Sequence, residues 1–460
     1  MTATAFSTLP LSDAMLANLE SLAYNEMTPI QAQSLPLVLQ GQDIIAQAKT
    51  GSGKTAAFGI ALLEKLNVRF FGVQALVLCP TRELADQVAK EVRRLARLTH
   101  NVKVLTLCGG VSIGPQIGSL EHGAHIIVGT PGRVVDHLDK GRLNLDDLTT
   151  LVLDEADRML EMGFQADLDN VIAKAPAKRQ TLLFSATYPT AIAKLSERLL
   201  TNPLQVTVAE QHNTSSIQQQ FFQVADNNAR LSALHTLLLQ YQGQSSMVFC
   251  NTKRETQDVA DALHQFGFSV LALHGDMEQK DRDQTLVQFA NGSACILVAT
   301  DVAARGLDIS SVDAVFNYQL AHDADTHTHR IGRTGRAGQS GIALSLFTAS
   351  DAGKLLPLED GLGIKIDAAE LPVVDIAALK PAKPLMATLQ LDGGKKHKIR
   401  AGDIVGALTA SKQLSNDDLG KIQLHDIWSF VAVKRTAVKL ALQLIQQGKI
   451  KGKSIRARAL

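Results

Sequence analysis

Several features that would assign this 460-residue chain to a special class are scarce or absent. It has four widely separated cysteines with no C-x-x-C pair, one tryptophan and only 4% aromatic residues. No apolar run approaches the roughly 18 residues that a membrane span needs, and the first ten residues lack the segments of a secretory signal. These absences argue against a disulfide-rich secreted protein and a membrane protein. They predict a cytoplasmic protein with core thiols.

The charge is unevenly distributed along the chain. Residues 385–460 contain 14 Lys and Arg and 5 acidic residues, a net charge of +9, whereas residues 1–384 carry −8. A basic tail on a mildly acidic body indicates a polyanionic partner. The alternative is a solvated basic surface with no dedicated partner.

Apolar runs alternate with amphipathic stretches twice along the chain, which predicts two α/β domains with parallel sheets. We expect the first domain in residues 1–208, a polar linker at 209–216, and the second domain in 217–370. Prolines interrupt residues 371–384, a second linker. Residues 385–460 follow the order βαββαβ, a small α+β arrangement.

The segment 44–55, IIAQAKTGSGKT, reads as a strand, a glycine-containing turn and a helix start. Gly51 and Gly53 allow backbone N–H groups to face phosphate oxygens, and the helix N-terminus favours an anion. Lys54 suits the β- and γ-phosphates, and the Thr55 hydroxyl suits Mg²⁺. Ala48 replaces the first glycine of the general pattern.

The segment 151–157, LVLDEAD, places carboxylates directly after a buried strand. Asp154 suits Mg²⁺, directly or through water, and Glu155 suits the orientation and deprotonation of an attacking water. Together with the phosphate loop upstream, this pattern predicts a nucleoside triphosphatase.

The chain resembles the DEAD-box RNA helicases, whose name-giving motif is Asp154-Glu155-Ala156-Asp157. The other motifs follow in the family's order: 24–31, 48–55, 80–84, 109–110, 130–133, 185–187, 248–252, 279–282, 299–308 and 329–336. Ala48 is itself what the family uses, whereas Ala23 departs from the usual glycine. The resemblance implies two RecA-like parallel-sheet domains, followed here by an RRM-like domain.

Residues 393–408 and 448–453 are similar to the RNA-binding domain of the bacterial DbpA subfamily, which is directed to a hairpin in the peptidyl-transferase region of 23S ribosomal RNA. The implied function is ATP-dependent unwinding of short RNA duplexes during assembly of the large ribosomal subunit. The implied partners are that hairpin and precursor particles of the subunit, and we expect a monomer.

The resemblance also implies residue roles. The ATP-binding set is Tyr24, Gln31, Ala48, Thr50, Gly51, Ser52, Gly53, Lys54, Thr55 and Asp308. The catalytic set is Glu155, Lys54, Asp154 and the arginine fingers Arg333 and Arg336, with Mg²⁺ at Thr55 and Asp154. The set that couples ATP to RNA is Ser185, Thr187, Asp157 and His329.

RNA contacts in the two helicase domains are expected at Thr81, Arg82, Gly109, Gly110, Thr130, Gly132, Arg133, Gln279, Arg282 and Thr300. Those of the third domain are expected in two basic loops, at Lys395, Lys396, Lys398, Arg400, Lys449, Lys451 and Lys453. Trp428 and Phe430 lie two residues apart on one strand face. Base stacking by Trp428 and core packing remain alternatives.

Three other functions stay open at this point: a general cold-response or mRNA-decay helicase, an ATP-switched RNA clamp without turnover, and a DNA translocase. The basic third domain argues against the first, and the intact catalytic motifs argue against the second. The motifs, which are those of RNA-dependent members, argue against the third.

Overall fold

The computed structural model describes residues 4–48, 51–208, 217–304, 312–335, 340–376 and 378–460. The described residues form two compact units, one up to residue 208 and one from residue 217 onward. The predicted linker at 209–216 lies outside the described residues. In the part of the chain that the structure describes, no helix is long and apolar enough to cross a membrane.

The first unit, called the first lobe here, is a seven-stranded sheet. Its strands are β1 (Ile44–Gln47), β2 (Ala75–Leu78), β3 (Val104–Leu107), β4 (Ile126–Gly129), β5 (Thr150–Leu153), β6 (Gln180–Ser185) and β7 (Leu204–Thr207). They lie in the order β3-β4-β2-β5-β6-β1-β7, and all pairs are parallel.

Nine α-helices of the first lobe precede or connect these strands in the described residues. They are α1 (Asp13–Ser21), α2 (Pro29–Leu39), α3 (Lys54–Glu64), α4 (Arg82–Leu95), α5 (Gly114–Leu120), α6 (Pro131–Asp139), α7 (Ala156–Glu161), α8 (Gln165–Ala173) and α9 (Thr190–Leu199). Successive side chains of a strand point to opposite faces, so Ile44 packs in one hydrophobic cluster with α2 to α4, and Ile45 in another with α6 to α9.

The second unit begins with a lobe of the same architecture, the second lobe. Its strands are β8 (Ile217–Gln223), β9 (Ser246–Cys250), β10 (Val270–Leu273), β11 (Ile296–Thr300), β12 (Ala314–Asn317), β13 (Gly341–Phe347) and β14 (Ala368–Ala369). They form a parallel sheet in the order β10-β11-β9-β12-β13-β8-β14. The helices described are α10 (Asn227–Tyr241), α11 (Lys253–Gln265), α12 (Gln279–Ala290), α13 (Asp301–Ala304), α14 (Ala324–Ile331) and α15 (Ala352–Leu362).

The remainder of the second unit, called the third domain, is an antiparallel four-stranded sheet with two helices. Its elements are β15 (Met386–Leu391), α16 (Ala401–Thr409), β16 (Leu419–Leu424), β17 (Ser429–Lys434), α17 (Val438–Gln447) and β18 (Ala457–Ala459). The strand order is β16-β17-β15-β18. Leu389 and Val431 pack with Ile404 and Ile445 of the helices in one core.

The predicted fold class, two parallel-sheet lobes followed by a small α+β domain, is confirmed. The details differ at the edges, since the short strands β7 and β14 were not predicted. Both occupy the edge of a sheet, where one neighbouring strand and partial exposure leave little apolar pattern to detect. The four cysteines are buried and free, as expected.

Candidate functional site

The strand order of the first lobe gathers the predicted site residues along one edge of its sheet. The phosphate loop follows β1, Asp154 follows β5 and Ser185 ends β6, and these three strands are neighbours. Thr81, Gly109 and Thr130 follow β2, β3 and β4, which form the other half of the sheet. Since carboxyl ends of parallel strands meet at one edge, the predicted ATP residues and RNA residues occupy adjacent halves of it.

The loop between β1 and α3 has the backbone that a phosphate cradle needs. Gly51 and Gly53 have φ of +84° and +96°, left-handed values that favour glycine. A Cβ on Gly53 would also come within 2.6 Å of Gln31 Nε2. Lys54 is buried and its Nζ donates to the carbonyl oxygen of Ala48 at 2.7 Å, so it lies across the loop.

Gln31 is tied to this loop. Its Oε1 accepts from the backbone N–H of Thr28 at 2.9 Å, and its Nε2 donates to the carbonyl oxygen of Gly53 at 3.1 Å. The predicted adenine-binding residue therefore connects the start of α2 directly to the phosphate loop.

Tyr24 is held by two side chains of α4 that the sequence analysis did not single out. Its hydroxyl donates to Glu91 at 2.6 Å and accepts from Arg94 at 2.9 Å. Partial burial, together with the Glu91 carboxylate, raises the pKa of Tyr24 to about 12. An E-x-x-R spacing on a helix is too common in sequences to be recognised as functional.

Asp154 and Glu155 occupy an unusual position between β5 and α7. Glu155 has a φ of +53°, which is costly for a residue with a side chain and is found mainly at functional sites. Burial raises the pKa of Asp154 to about 7, against the opposing charge of Lys54. Its Oδ1 is buried with no hydrogen-bond partner among the described residues.

We expect Asp154→Asn to stabilise the protein without nucleotide while abolishing ATPase activity. Because the pKa of Asp154 is raised, the folded state binds more protons than the unfolded state between about pH 4 and pH 7, and stability falls as pH rises through that window. The variant should therefore melt above the wild type at pH 8 and close to it at pH 4.5, with a Tm shift of about 2–4 °C per kcal/mol.

Differential scanning fluorimetry at the two pH values measures this effect. The exposed Asp147→Asn serves as the matched control. An equal Tm gain at both pH values would show that the buried charge of Asp154 is not its cause.

Asp157 links the carboxylate motif to the segment after β6. Its Oδ2 accepts from both the backbone N–H and the hydroxyl of Thr187, at 2.9 and 2.8 Å. Burial opposes the charged form, but these bonds and Arg158 outweigh it and lower the pKa of Asp157. Ser185 completes the connection, since its carbonyl oxygen accepts from the N–H of Ala48 at 3.0 Å.

The predicted RNA-contacting residues of the first lobe lie on the loops after β2, β3 and β4 and in the first turns of α4 and α6. Thr81 is the N-cap of α4, and its hydroxyl accepts from the N–H of Leu84 at 3.3 Å. Arg82 forms an ion pair with Asp86 at 3.6 Å. The Arg133 guanidinium donates to the carbonyl oxygen of Val111 at 3.3 Å and so joins the loop that contains Gly109 and Gly110 to the start of α6, where Thr130 and Gly132 lie.

In the second lobe, the RNA-contacting residues predicted there lie after neighbouring strands. Thr300 ends β11, and Gln279 and Arg282 lie in the first turn of α12, which follows β10. His329 lies on α14, and Arg333 follows that helix and is buried.

Arg330 is the residue that sequence reasoning missed in this lobe. It is 1% exposed and forms an ion pair with Asp301 at 2.6 Å. Its Nη2 donates to Asn251 Oδ1 at 2.8 Å and its Nη1 to the carbonyl oxygen of Gln319 at 2.6 Å. Arg330 therefore ties together the loops after β9, β11 and β12. The neighbouring His327 packs on Phe221, and its Nε2 lies 2.9 Å from Gln219.

The two basic loops of the third domain are joined. Lys451 Nζ donates to the carbonyl oxygen of Lys398 at 2.7 Å, and both lysines have left-handed backbones. The backbone N–H groups of Lys395 and Lys396 donate to the carbonyl oxygens of His425 and Asp426, so the turn before Trp428 lies against the first loop. Arg400, Lys449 and Lys453 belong to the same two loops.

Phe430 is fully buried, whereas Trp428 is partly exposed and its indole nitrogen is buried without a partner among the described residues. The structure thus separates the two aromatic residues that the sequence analysis treated together. Thr50, Asp308 and Arg336 lie outside the described residues, and no group of three or more potential metal ligands occurs within the described ones.

Comparison with known proteins identifies the class. Residues 28–195 match the DEAD/DEAH box helicase family, residues 229–338 the helicase conserved C-terminal domain, and residues 388–459 the DbpA RNA binding domain. The chain belongs to the DEAD-box ATP-dependent RNA helicases, with the RNA-binding domain of the DbpA type.

Among individual relatives, the ATP-dependent RNA helicase DbpA of Escherichia coli (strain K12) is 54% identical over 458 residues, covering 99% of this chain and 100% of the relative. The helicase CshA of Geobacillus kaustophilus is 44% identical over 375 residues, 81% of this chain and 80% of the relative. The solved structure of S. cerevisiae Dbp5 bound to RNA and ADP BeF3 matches with a TM-score of 0.71 at 31% identity, covering 80% of this chain and 96% of that one.

Proposed function

We propose that this helicase couples Mg²⁺-dependent ATP hydrolysis to the local unwinding of short RNA duplexes, and that its third domain targets it to 23S ribosomal RNA during large-subunit assembly. The adjacent halves of the first-lobe sheet edge carry this proposal: the phosphate loop and Asp154 lie on one half, and the loops proposed to contact RNA on the other. The full-length similarity to DbpA supports the choice of target.

In this proposal each residue keeps the role its chemistry suits. Lys54 and the backbone around Gly51 and Gly53 bind the phosphates, and Ser52 and Ala48 belong to the same phosphate-binding loop. Glu155 orients the attacking water and takes its proton. Tyr24 and Gln31 contact the base. Outside the described residues, Thr50 and Asp308 bind ATP and Arg336 stabilises the transferring phosphoryl group together with Arg333.

The residues present fit a bound Mg²⁺. Asp154 Oδ1 is a buried carboxylate oxygen with no hydrogen-bond partner in the part of the chain that the structure describes, and Mg²⁺ prefers oxygen ligands supplied by one or two side chains plus phosphates. Asp154 and Thr55 would hold the ion, which would neutralise charge on the phosphates. Mg²⁺ held there would favour the ionised form of the Asp154 carboxyl, whose pKa is raised by burial.

The coupling between the two ligands uses the contact of Asp157 with Thr187 and of Ser185 with the phosphate loop. Both link the strand ends that carry ATP residues to the segment after β6. RNA contacts go to the sugar-phosphate backbone, because a helicase must act on many sequences. The residues that supply these contacts are Thr81, Arg82, Gly109, Gly110, Thr130, Gly132, Arg133, Gln279, Arg282 and Thr300. His329 belongs to the set that couples ATP to RNA.

Targeting is assigned to the joined basic loops, with Lys395, Lys396, Lys398 and Arg400 on one and Lys449, Lys451 and Lys453 on the other. The contact between Lys451 and Lys398 presents the positive charges as one surface. Trp428 lies beside this surface. We also propose a cytoplasmic monomer.

A charge-neutralised variant tests the targeting. Lys395→Ala, Lys396→Ala and Lys398→Ala together should weaken binding to a 23S rRNA fragment that contains the peptidyl-transferase hairpin. The negative slope of log K against log salt should become shallower by roughly 2 to 3, since each lost phosphate contact reduces the number of released counterions by about 0.7–0.9. ATPase activity with saturating generic RNA should be unchanged.

The matched control replaces three exposed lysines elsewhere in the domain, Lys412, Lys421 and Lys439, by alanine. It should bind the hairpin fragment more tightly than the loop variant. Equal losses of hairpin affinity in both variants would show that the domain binds RNA through its general positive charge and not through the two loops. A wild type that prefers generic RNA over the rRNA fragment would contradict the proposed target.

A further inference from the structure

Tyr24, the aromatic residue proposed to contact the adenine base, follows α1 through a strained turn. Its backbone N–H donates to the carbonyl oxygen of Leu19 at 2.9 Å, which closes a helix end of the Schellman type. In such an end the preceding residue adopts a left-handed conformation and is usually glycine. Here it is Ala23, with a φ of +59°. That conformation is costly for alanine and persists only where the surrounding contacts fix it.

The segment that carries Tyr24 is fastened to the last turn of α4. Asn18 of α1 is 1% exposed, and its Nδ2 donates to the carbonyl oxygens of Leu95 at 2.5 Å and of Arg94 at 3.4 Å. Arg97, which follows α4, donates to Asn18 Oδ1 at 2.9 Å. Because these bonds join α1 to the end of α4, the side chains of that end are held at a fixed distance from Tyr24.

Tyr24, Glu91 and Arg94 form a closed ring of hydrogen bonds. The Tyr24 hydroxyl donates to Glu91 Oε1 and accepts from Arg94 Nη2. The two α4 residues also bind each other through two parallel contacts, Nε to Oε2 at 3.0 Å and Nη2 to Oε1 at 3.1 Å, a geometry that fixes both side chains. The guanidinium carbon lies 5.3 Å from the centre of the tyrosine ring. The ring therefore cannot swing about its Cα–Cβ bond without breaking both bonds of its hydroxyl.

Neither base stacking nor the stability of the lobe accounts for this network. Stacking uses the face of an aromatic ring, which phenylalanine offers as well as tyrosine does. The side chains of Glu91 and Arg94 are 23% and 47% exposed, and an ion pair that exposed contributes little to folding stability. The Tyr24 ring is itself only partly buried, so part of it remains accessible to a ligand. What the network does is hold that ring in one place.

We propose that Glu91 and Arg94 are positioning residues for ATP, which act through Tyr24 by holding its ring in the orientation that stacks on adenine. This rests on the proposed function, in which Tyr24 contacts the base. A ring that is already held loses little side-chain freedom when the nucleotide binds, and affinity for the base rises accordingly. The tyrosine hydroxyl, which stacking does not use, is then required for tight binding of adenine nucleotides.

Removing the hydroxyl or its acceptor tests the proposal. Tyr24→Phe keeps the aromatic face, and Glu91→Ala removes the carboxylate. Each should raise the dissociation constant for ADP, measured by isothermal titration calorimetry, and KM for ATP at saturating RNA roughly fivefold, the effect of a lost hydrogen bond. The change in kcat should be much smaller, because the base is bound equally in the ground state and the transition state. A Tyr24→Phe enzyme with the ADP affinity of the wild type would overturn the proposal.

A double variant separates action through the hydroxyl from a general effect of Glu91. Tyr24→Phe combined with Glu91→Ala should bind ADP as weakly as Tyr24→Phe alone, because the carboxylate has no hydroxyl left to hold. A further loss in the double variant would overturn the proposal. Glu91→Gln should recover most of the affinity, since its amide oxygen can still accept from the hydroxyl. Glu197→Ala, at an exposed position of α9, is the matched control and should bind ADP as the wild type does.

A ligand without a base shows whether the effect is confined to adenine. Inorganic pyrophosphate competes with ADP at the phosphate loop, and its inhibition constant should be the same in the wild type and in these variants. RNA affinity without nucleotide should also be unchanged, because Arg82 lies about 14 Å from Glu91 along α4. Weaker binding of pyrophosphate or RNA would show a general disturbance of the lobe and overturn the proposal. A Tyr24→Ala enzyme with normal ADP affinity would instead overturn the proposed contact of Tyr24 with the base.

Discussion

Replacing Glu155 by glutamine is expected to lower kcat for RNA-stimulated ATP hydrolysis at least about a hundredfold, the usual effect of losing a general base. The amide keeps the size of the side chain but cannot take a proton from water. Glu155 is buried and held at a φ of +53° directly after Asp154, so the substitution leaves the neighbouring carboxylate in place. ATP and RNA should still bind.

Single-turnover hydrolysis and equilibrium binding of a fluorescent nucleotide separate the two effects. Glu161→Gln, at the end of the same helix α7, is the matched control and should hydrolyse ATP at the wild-type rate. Hydrolysis by Glu155→Gln within a few-fold of wild type would remove Glu155 from its proposed role.

Replacing Arg333 by alanine is expected to reduce turnover by roughly three orders of magnitude, in the range measured for arginine fingers. A planar guanidinium stabilises the charge that spreads over the transferring phosphoryl group, and this stabilisation is needed most in the transition state. The dissociation constant for ATP should therefore change much less than kcat. Arg333→Lys should recover little, because an ammonium cannot present two parallel donors.

Because Arg333 is buried, the melting temperature of each variant must be compared with wild type. Arg254→Ala, which removes an exposed arginine of the same lobe, is the control for loss of charge. A folded Arg333→Ala enzyme with normal turnover would contradict the finger assignment.

The motifs could be predicted from the sequence because each one combines a backbone conformation that few residue types adopt with side chains of a particular chemistry. Gly53 needs a positive φ and space beside Gln31, and Asp154 must follow an apolar strand. The hydrogen bonds by which Arg330 connects three loops of the second lobe could not be predicted from the sequence. Its partners Asp301, Asn251 and Gln319 lie 29, 79 and 11 residues away along the chain. The support of Tyr24 by Glu91 and Arg94 could not be predicted either, because it depends on how α4 packs.

By itself the sequence determined the class of fold, the phosphate loop, the carboxylate pair and the basic character of the third domain, since each depends on residues close together in the chain. Only the tertiary structure decided which strands are neighbours, and therefore which loops share an edge of the sheet. It also decided that Phe430 is buried and that Thr388 is buried against the second lobe. The physical reason is that strand order and domain docking are set by packing and hydrogen bonds between segments far apart in sequence, as Asn291 and Thr388 are, and the local pattern of neither segment specifies its partner.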